Sequence, residues 1–220
     1  MIAKDLLNDS IPPLKISDTG SKALKWMDEF RVSHLPVVKG KEYLGLISED
    51  DILNMNKPGE AMSAHPLALV RPFVTEEQHV YEAIKLIAKL KLSVLPVLNA
   101  NKEFAGNLTP ADLLAALASI AAIEGAGGII VLEMNIHDYA LSEIARIVES
   151  NDAKIMSLYV ALHHESTKME VTLKIDKMDL SRILSAFYRF NYTVKASYHE
   201  SEFIEEIKSR YDSLMNYLNI

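Results

Sequence analysis

Ser48 and Asp51 stand three residues apart, as do Thr109 and Asp112, and each pair ends a strand-like run and opens a helix-like one. A hydroxyl at a helix N-cap with a carboxylate three residues on is close to a capping box, with Asp in place of Glu. The same place offers binding chemistry. The free N–H groups and dipole of a helix start attract an anion, and Ser48 or Thr109 adds a hydroxyl. The carboxylate of Asp51 or Asp112 can accept from a vicinal diol. It would repel a phosphate beside it, so it has to face a sugar. His34 precedes the first pair at the beginning of a strand, where the second copy has Val94. The first place is therefore expected to be the better phosphate binder, with Arg71 as a further candidate for an anionic group.

These pairs recur because the chain repeats itself. Val32-Ser33-His34-Leu35-Pro36-Val37-Val38 returns sixty residues later as Leu92-Ser93-Val94-Leu95-Pro96-Val97-Leu98. Gly45 to Asp51 returns after sixty-one residues as Gly106 to Asp112, which places a one-residue insertion in the intervening hairpin. Two copies of one supersecondary unit follow. Ahead of each Leu-Pro-Val strand lies a helical stripe: Ala23, Leu24, Met27 and Phe30 in one copy, Val80, Ile84 and Ile87 in the other. Lys39-Gly40-Lys41 and Asn99-Ala100-Asn101-Lys102 supply turn chemistry, so each strand folds back on a partner.

The repeated Leu-Pro-Val strand and the Gly-x-x-(Ser/Thr)-x-x-Asp segment resemble a tandem pair of CBS domains, regulatory modules named after cystathionine β-synthase. The resemblance covers about residues 1–120 and implies an adenine nucleotide held between the repeats, with the base on one repeat and the ribose-binding aspartate on the other. One site would combine Pro72, Leu92 and Ser93 with Ser48, Asp51 and His34. The other would combine Pro12, Val32 and Ser33 with Thr109 and Asp112. The implied ligand is AMP, ADP, ATP or another adenosine derivative, with no further cofactor. Relatives also imply a homodimer, and the alanine-rich 114–122 segment permits close helix approach.

Composition bounds the remaining classes. At 220 residues, 49% hydrophobic and 24% charged, the chain reads as a globular protein of about two domains. A formal charge of −7 argues against nucleic acid or an anionic membrane as a main partner. Without cysteine, disulfides, thiolate metal sites and cysteine nucleophiles are excluded. No basic segment leads into an apolar run at the start, so the expected location is cytoplasmic. No phosphate-binding P-loop, nucleophile elbow or zinc-protease helix occurs, and the chain is not expected to be an enzyme. His163, His164 and Glu165 do not read as a metal site, since adjacent histidines on a strand point to opposite faces.

Beyond a glycine cluster at residues 125–128, read as a hinge, the pattern becomes strand, helix, strand, strand, helix, strand. Leu141, Ile144, Ala145 and Val148 form one helical stripe; Leu180, Ile183, Leu184 and Phe187 form the other. Met169, Val171, Leu173 and Ile175 alternate with polar residues as a half-buried strand does. This split βαβ order resembles an ACT-like domain, although the turn from Asn135 to Ser142 lacks the glycine usual in that family's ligand-binding turn. The whole arrangement is similar to acetoin-utilisation AcuB-type proteins.

The expected fold is therefore α+β: a tandem CBS pair of two βαββα-type repeats, a ferredoxin-like ACT domain and a C-terminal helix. The expected boundaries are 1–58, 59–124, 125–200 and 201–220, with residues 1–10 packing back on the first repeat. The final segment places Ile204, Ile207, Tyr211, Leu214 and Leu218 on one stripe, suited to cover the ACT-like sheet. The expected function is regulatory sensing of an adenine nucleotide, passed to the ACT-like domain or a partner. The alternative is a dimeric interaction module with vestigial sites.

Overall fold

The computed structural model describes residues 1–65, 69–162 and 166–198. Their contacts divide the chain into two compact units, one spanning Met1–Ala116 and the other beginning at Leu117.

In the first unit the repeats follow one plan. The first runs through β1 (Leu14–Lys15), α1 (Gly20–Phe30), β2 (His34–Lys39), β3 (Glu42–Ser48) and α2 (Glu49–Leu53); the second runs through β4 (Val74–Thr75), α3 (Val80–Leu90), β5 (Leu95–Leu98), β6 (Phe104–Leu108) and α4 (Pro110–Ile120). Each builds a three-stranded sheet, β1-β2-β3 or β4-β5-β6, in which the first pair is parallel and the hairpin antiparallel. Both α1 and α3 end on a left-handed residue, Arg31 and Lys91, which turns the chain into the next strand. The apolar Leu-Pro-Val strands are buried. Leu14, Ala23, Met27, Leu35, Val37, Ile47 and Ile52 form the core of the first repeat, and Val94 of the second repeat joins it.

Equivalent residues of the two repeats meet each other. The Ser33 N–H donates to Ser93 Oγ at 3.0 Å, and Glu42 bridges Glu103. A residue touching its own counterpart is the mark of a two-fold relation between like units.

Residues 1–10 correct the sequence expectation, because they lie on the second repeat and not the first. Ile2 bridges His79, the Ala3 N–H donates to Gln78 O at 2.9 Å, and the Lys4 N–H donates to Glu76 O at 3.0 Å. Ala3 is fully buried there. The expected helical stripe is one short 3-10 turn, Ala3–Leu6.

The second unit contains β7 (Gly128–Asn135), α5 (Leu141–Glu149), β8 (Ile155–Leu162), β9 (Lys168–Ile175), α6 (Ser181–Arg189) and β10 (Thr193–Tyr198). Its antiparallel sheet has the order β10-β7-β9-β8, the split βαβ arrangement. Ile144, Ile147, Val148, Ile183 and Phe187 of the helices share one core with Ile130, Leu132, Val171 and Leu173 of the sheet. His163, His164, Glu165 and the expected helix at 201–220 lie outside the described residues. Among the described residues no helix is long and apolar enough to cross a membrane.

The glycine that opens each motif has a specific task. Gly45 has φ +152°, and a Cβ there would stand 2.5 Å from Leu69 Cβ and 2.8 Å from Val70 O. The linker crosses β3 at this point, with the Leu46 N–H donating to Val70 O at 2.8 Å. At Gly106 a Cβ would meet a softer obstacle, Leu7 Cδ2 at 3.0 Å. Gly45→Ala is expected to cost on the order of 2 kcal/mol through overpacking and backbone strain, and Gly106→Ala less, because a leucine methyl can shift. Urea unfolding of the two variants checks this; equal losses would contradict it.

Candidate functional site

The hairpin of each repeat delivers its motif to the start of the following helix. Ser48 ends β3 and caps α2: its Oγ accepts from the Asp51 N–H at 3.1 Å, while Asp51 Oδ2 accepts from the Ser48 N–H at 2.9 Å and the Ser48 hydroxyl at 2.6 Å. Thr109 repeats this ahead of α4. Its Oγ1 accepts from the Asp112 N–H at 3.2 Å, and Asp112 Oδ2 accepts from the Thr109 N–H at 2.8 Å and the Thr109 hydroxyl at 2.7 Å. Both aspartates are therefore capping residues, and in both it is Oδ2 that the cap uses.

The remaining oxygens differ. Among the described residues, no hydrogen bond reaches Asp51 Oδ1, and Asp51 is exposed. Asp112 Oδ1 is occupied, since Asn8 Nδ2 donates to it at 3.2 Å and lies 3.4 Å from Oδ2. The two places therefore differ in their hydrogen bonding, through Asn8, a residue absent from the sequence expectation.

His34 begins β2 opposite Ser48 in register. Its Nδ1 accepts from the Ser93 N–H at 3.3 Å and lies 3.1 Å from Ser93 Oγ and 3.4 Å from Ser33 Oγ. An amide can only donate, so Nδ1 is unprotonated and the ring is the neutral Nε2–H tautomer. Burial holds the imidazole below its usual value of 6.5, and the charges of Asp51 and Asp50 oppose this only in part. His34 joins the repeats as a neutral acceptor rather than presenting a cation. The phosphate reading of this end weakens further because α2 is five residues long and its first turn carries Glu49, Asp50 and Asp51.

The structure thus brings Ser33, His34, Ser48, Asp51 and Ser93 together across the repeats; the Glu49 N–H also donates to Ser33 O at 3.0 Å. Leu92 is buried, 5% exposed, beneath Ser93. Pro72 lies on the linker, its carbonyl accepting from Tyr43 OH at 3.0 Å, and Arg71 Nε beside it donates to Leu44 O at 2.6 Å. For the second combination, Val32 packs against the core of the first repeat. Pro12 lines an open cleft of about 680 Å³ with Lys22 and Trp26, at the hairpin end of that repeat's sheet. What sequence reasoning missed is Asn8, and with it Asn107, the one buried polar residue among those described. A signal existed for Asn107: it interrupts an apolar strand where the first copy has Leu46. Among the described residues no group of three or more His, Asp or Glu is placed to hold a metal.

With this geometry in hand, a family model described as CBS domain matches residues 3–56 and 59–119, more than half of the chain. Among solved structures, a CBS domain pair/ACT domain protein from Thermotoga maritima is 22% identical over 54% of this chain and 98% of its own, with a TM-score of 0.48. CBSX2 in complex with AMP is 21% identical over 54% of this chain and 97% of its own, at 0.47. The CBS domain of a bacterial CNNM/CorC family Mg2+ transporter in complex with ATP is 16% identical over 54% and 87%, at 0.43.

The state of His34 sets a pH dependence. Because its folded value is lowered, the unfolded chain binds a proton at higher pH than the folded one. Its contribution is intact above 6.5 and is lost as pH falls below that value. His34→Val, the residue type of the second copy, removes the titrating ring. Urea unfolding from pH 8 to pH 5 should show the parent losing stability relative to the variant as pH falls. A parent that gains relative to the variant on acidification would show a protonated, partnered imidazole instead.

Proposed function

The chain belongs to the CBS domain family, and from that membership we propose that it is a regulatory, non-catalytic protein whose paired repeats bind an adenine nucleotide. One observation carries the choice of site: among the described residues no hydrogen bond reaches Asp51 Oδ1, beside the inter-repeat cluster of Ser33, His34, Ser48 and Ser93, whereas Asp112 is bonded through both oxygens. In this reading Asp51 Oδ1 accepts from the ribose hydroxyls. Ser48 and Ser93 supply hydroxyls from the two repeats, and Pro72 and Leu92 border the base. Ligand held between the repeats favours one of their arrangements over another, which is how binding becomes a signal.

The second unit, with its βαββαβ order and 4-1-3-2 sheet, is assigned as an ACT-like domain receiving that signal, in a protein of the AcuB type. The proposed boundaries remain 1–58, 59–124, 125–200 and 201–220. Self-association as a homodimer is supported by Leu53 and Leu114, sixty-one residues apart and therefore equivalent, which are 64% and 69% exposed on α2 and α4. A cytoplasmic location completes the reading.

A second reading, a dimeric scaffold with vestigial sites, draws on the fact that capping alone accounts for Ser48, Asp51, Thr109 and Asp112. Calorimetric titration with AMP, ADP and ATP separates the two. Asp51→Ala should weaken binding about tenfold to a hundredfold, the worth of a hydrogen bond to a charged group, while Asp112→Ala should leave the open site unchanged. Melting curves control for the lost cap. Unaltered affinity in Asp51→Ala at equal stability refutes the site. No binding by the parent, with a dimer on light scattering, favours the scaffold.

A further inference from the structure

The acceptor of the second repeat already has an occupant supplied by the chain. Asn8 donates its side-chain amide to Asp112. Its backbone pairs with Asn107, N–H to Asn107 O at 3.0 Å and O from the Asn107 N–H at 3.4 Å. Asn107 Nδ2 donates in turn to Ile11 O at 2.8 Å. Leu7 covers Gly106. Ahead of this crossing, residues 2–4 are fastened to residues 76–79 of the same repeat. After it, the chain enters β1, in the sheet of the first repeat. The segment thus starts on one repeat, crosses that repeat's acceptor and ends in the other.

The first repeat provides the comparison. The segment crossing its motif glycine is Leu69–Val70, and Val70 pairs with Leu46 as Asn8 pairs with Asn107. Valine has no donor to offer Asp51. Leu46 is apolar where Asn107 is not, and among the described residues no donor reaches the buried Asn107 Oδ1. A buried oxygen lacking a donor disfavours the state that contains it. The closed arrangement of the second repeat therefore holds one unsatisfied group that the first repeat lacks.

We propose that residues 7–11 are a strap whose Asn8 amide stands in for the diol of a ligand at Asp112, so that the second repeat accepts a ligand only after the strap lifts. Strap and ligand compete for the same oxygen. The apparent affinity at Asp112 is the intrinsic one reduced by the fraction of molecules in which the strap is open. Because the strap leads through residues 12 and 13 into β1 of the first repeat, a change in the arrangement of the repeats alters that fraction. This rests on the nucleotide reading for the ligand class alone; the strap contact itself is independent of it.

The test uses the full chain with Asn8→Val, the residue type that crosses the first repeat, and Asn8→Ala as a second variant. Hydrogen exchange reads the strap directly. The residue 8 amide should exchange faster in both variants while those of β2 and β5 keep their rates, and unchanged protection at residue 8 overturns the proposal. AMP titration in an Asp51→Ala background reads the competition. Adding Asn8→Val should tighten AMP about tenfold, the worth of the lost amide–carboxylate bond, and adding Asp112→Ala as well should abolish the gain. Faster exchange without tighter AMP, in a chain whose parent binds AMP, overturns the occupant role. Faster exchange with no AMP binding by the parent refutes the nucleotide reading and upholds the strap contact.

Discussion

A carboxylate has two oxygens, and each repeat of this chain commits one of them to its own backbone. Asp51 Oδ2 and Asp112 Oδ2 each accept from the N–H and hydroxyl of the residue that starts the helix. A cap of this kind contributes about 1 kcal/mol. It also fixes the carboxylate at the end of a strand, so the direction of the second oxygen is set before any partner arrives. What that oxygen meets decides what the repeat can do. In the first repeat no hydrogen bond among the described residues reaches it; in the second it meets Asn8.

The difference has its origin in which segment crosses the motif glycine. Both repeats need a strand-like segment beside the returning hairpin strand, and both use glycine to admit it. The first repeat is crossed by the linker at Leu69–Val70, the second by residues 7–9. The two repeats share the crossing but not its side chains. An asparagine where the other copy has valine, facing an aspartate common to both, is enough to separate two otherwise equivalent places.

Much of the fold was legible in the sequence because the repeat made each element appear twice. The buried strands at Leu35–Val38 and Leu95–Leu98, the hairpins and the helix starts at Ser48 and Thr109 all stand where local chemistry put them. Strand β9 was equally plain, since Met169, Val171, Leu173 and Ile175 are buried and alternate with polar neighbours. Strand β8 gave no such period: as an edge strand it leaves Met156, Tyr159 and Leu162 exposed, so only its place in the order could be inferred. The docking of residues 1–10 was misread, because an apolar stripe shows that a segment packs and not against what. For His34 the sequence offered a candidate phosphate contact and left its long-range partner unseen. A histidine near an anion site suggests charge, and only the position of Ser93, fifty-nine residues away, makes it a neutral acceptor. Asn8 and Asp112 lie 104 residues apart, and no local pattern joins them.

The central claim is that nucleotide enters at Asp51 while Asp112 remains closed. A crystal structure of the full chain grown with AMP tests it most directly. The expected result is a ribose whose hydroxyls lie within hydrogen-bond distance of Asp51 Oδ1, with Asn8 still on Asp112. A ribose on Asp112 with Asp51 vacant, or AMP bound away from both aspartates, would contradict the account.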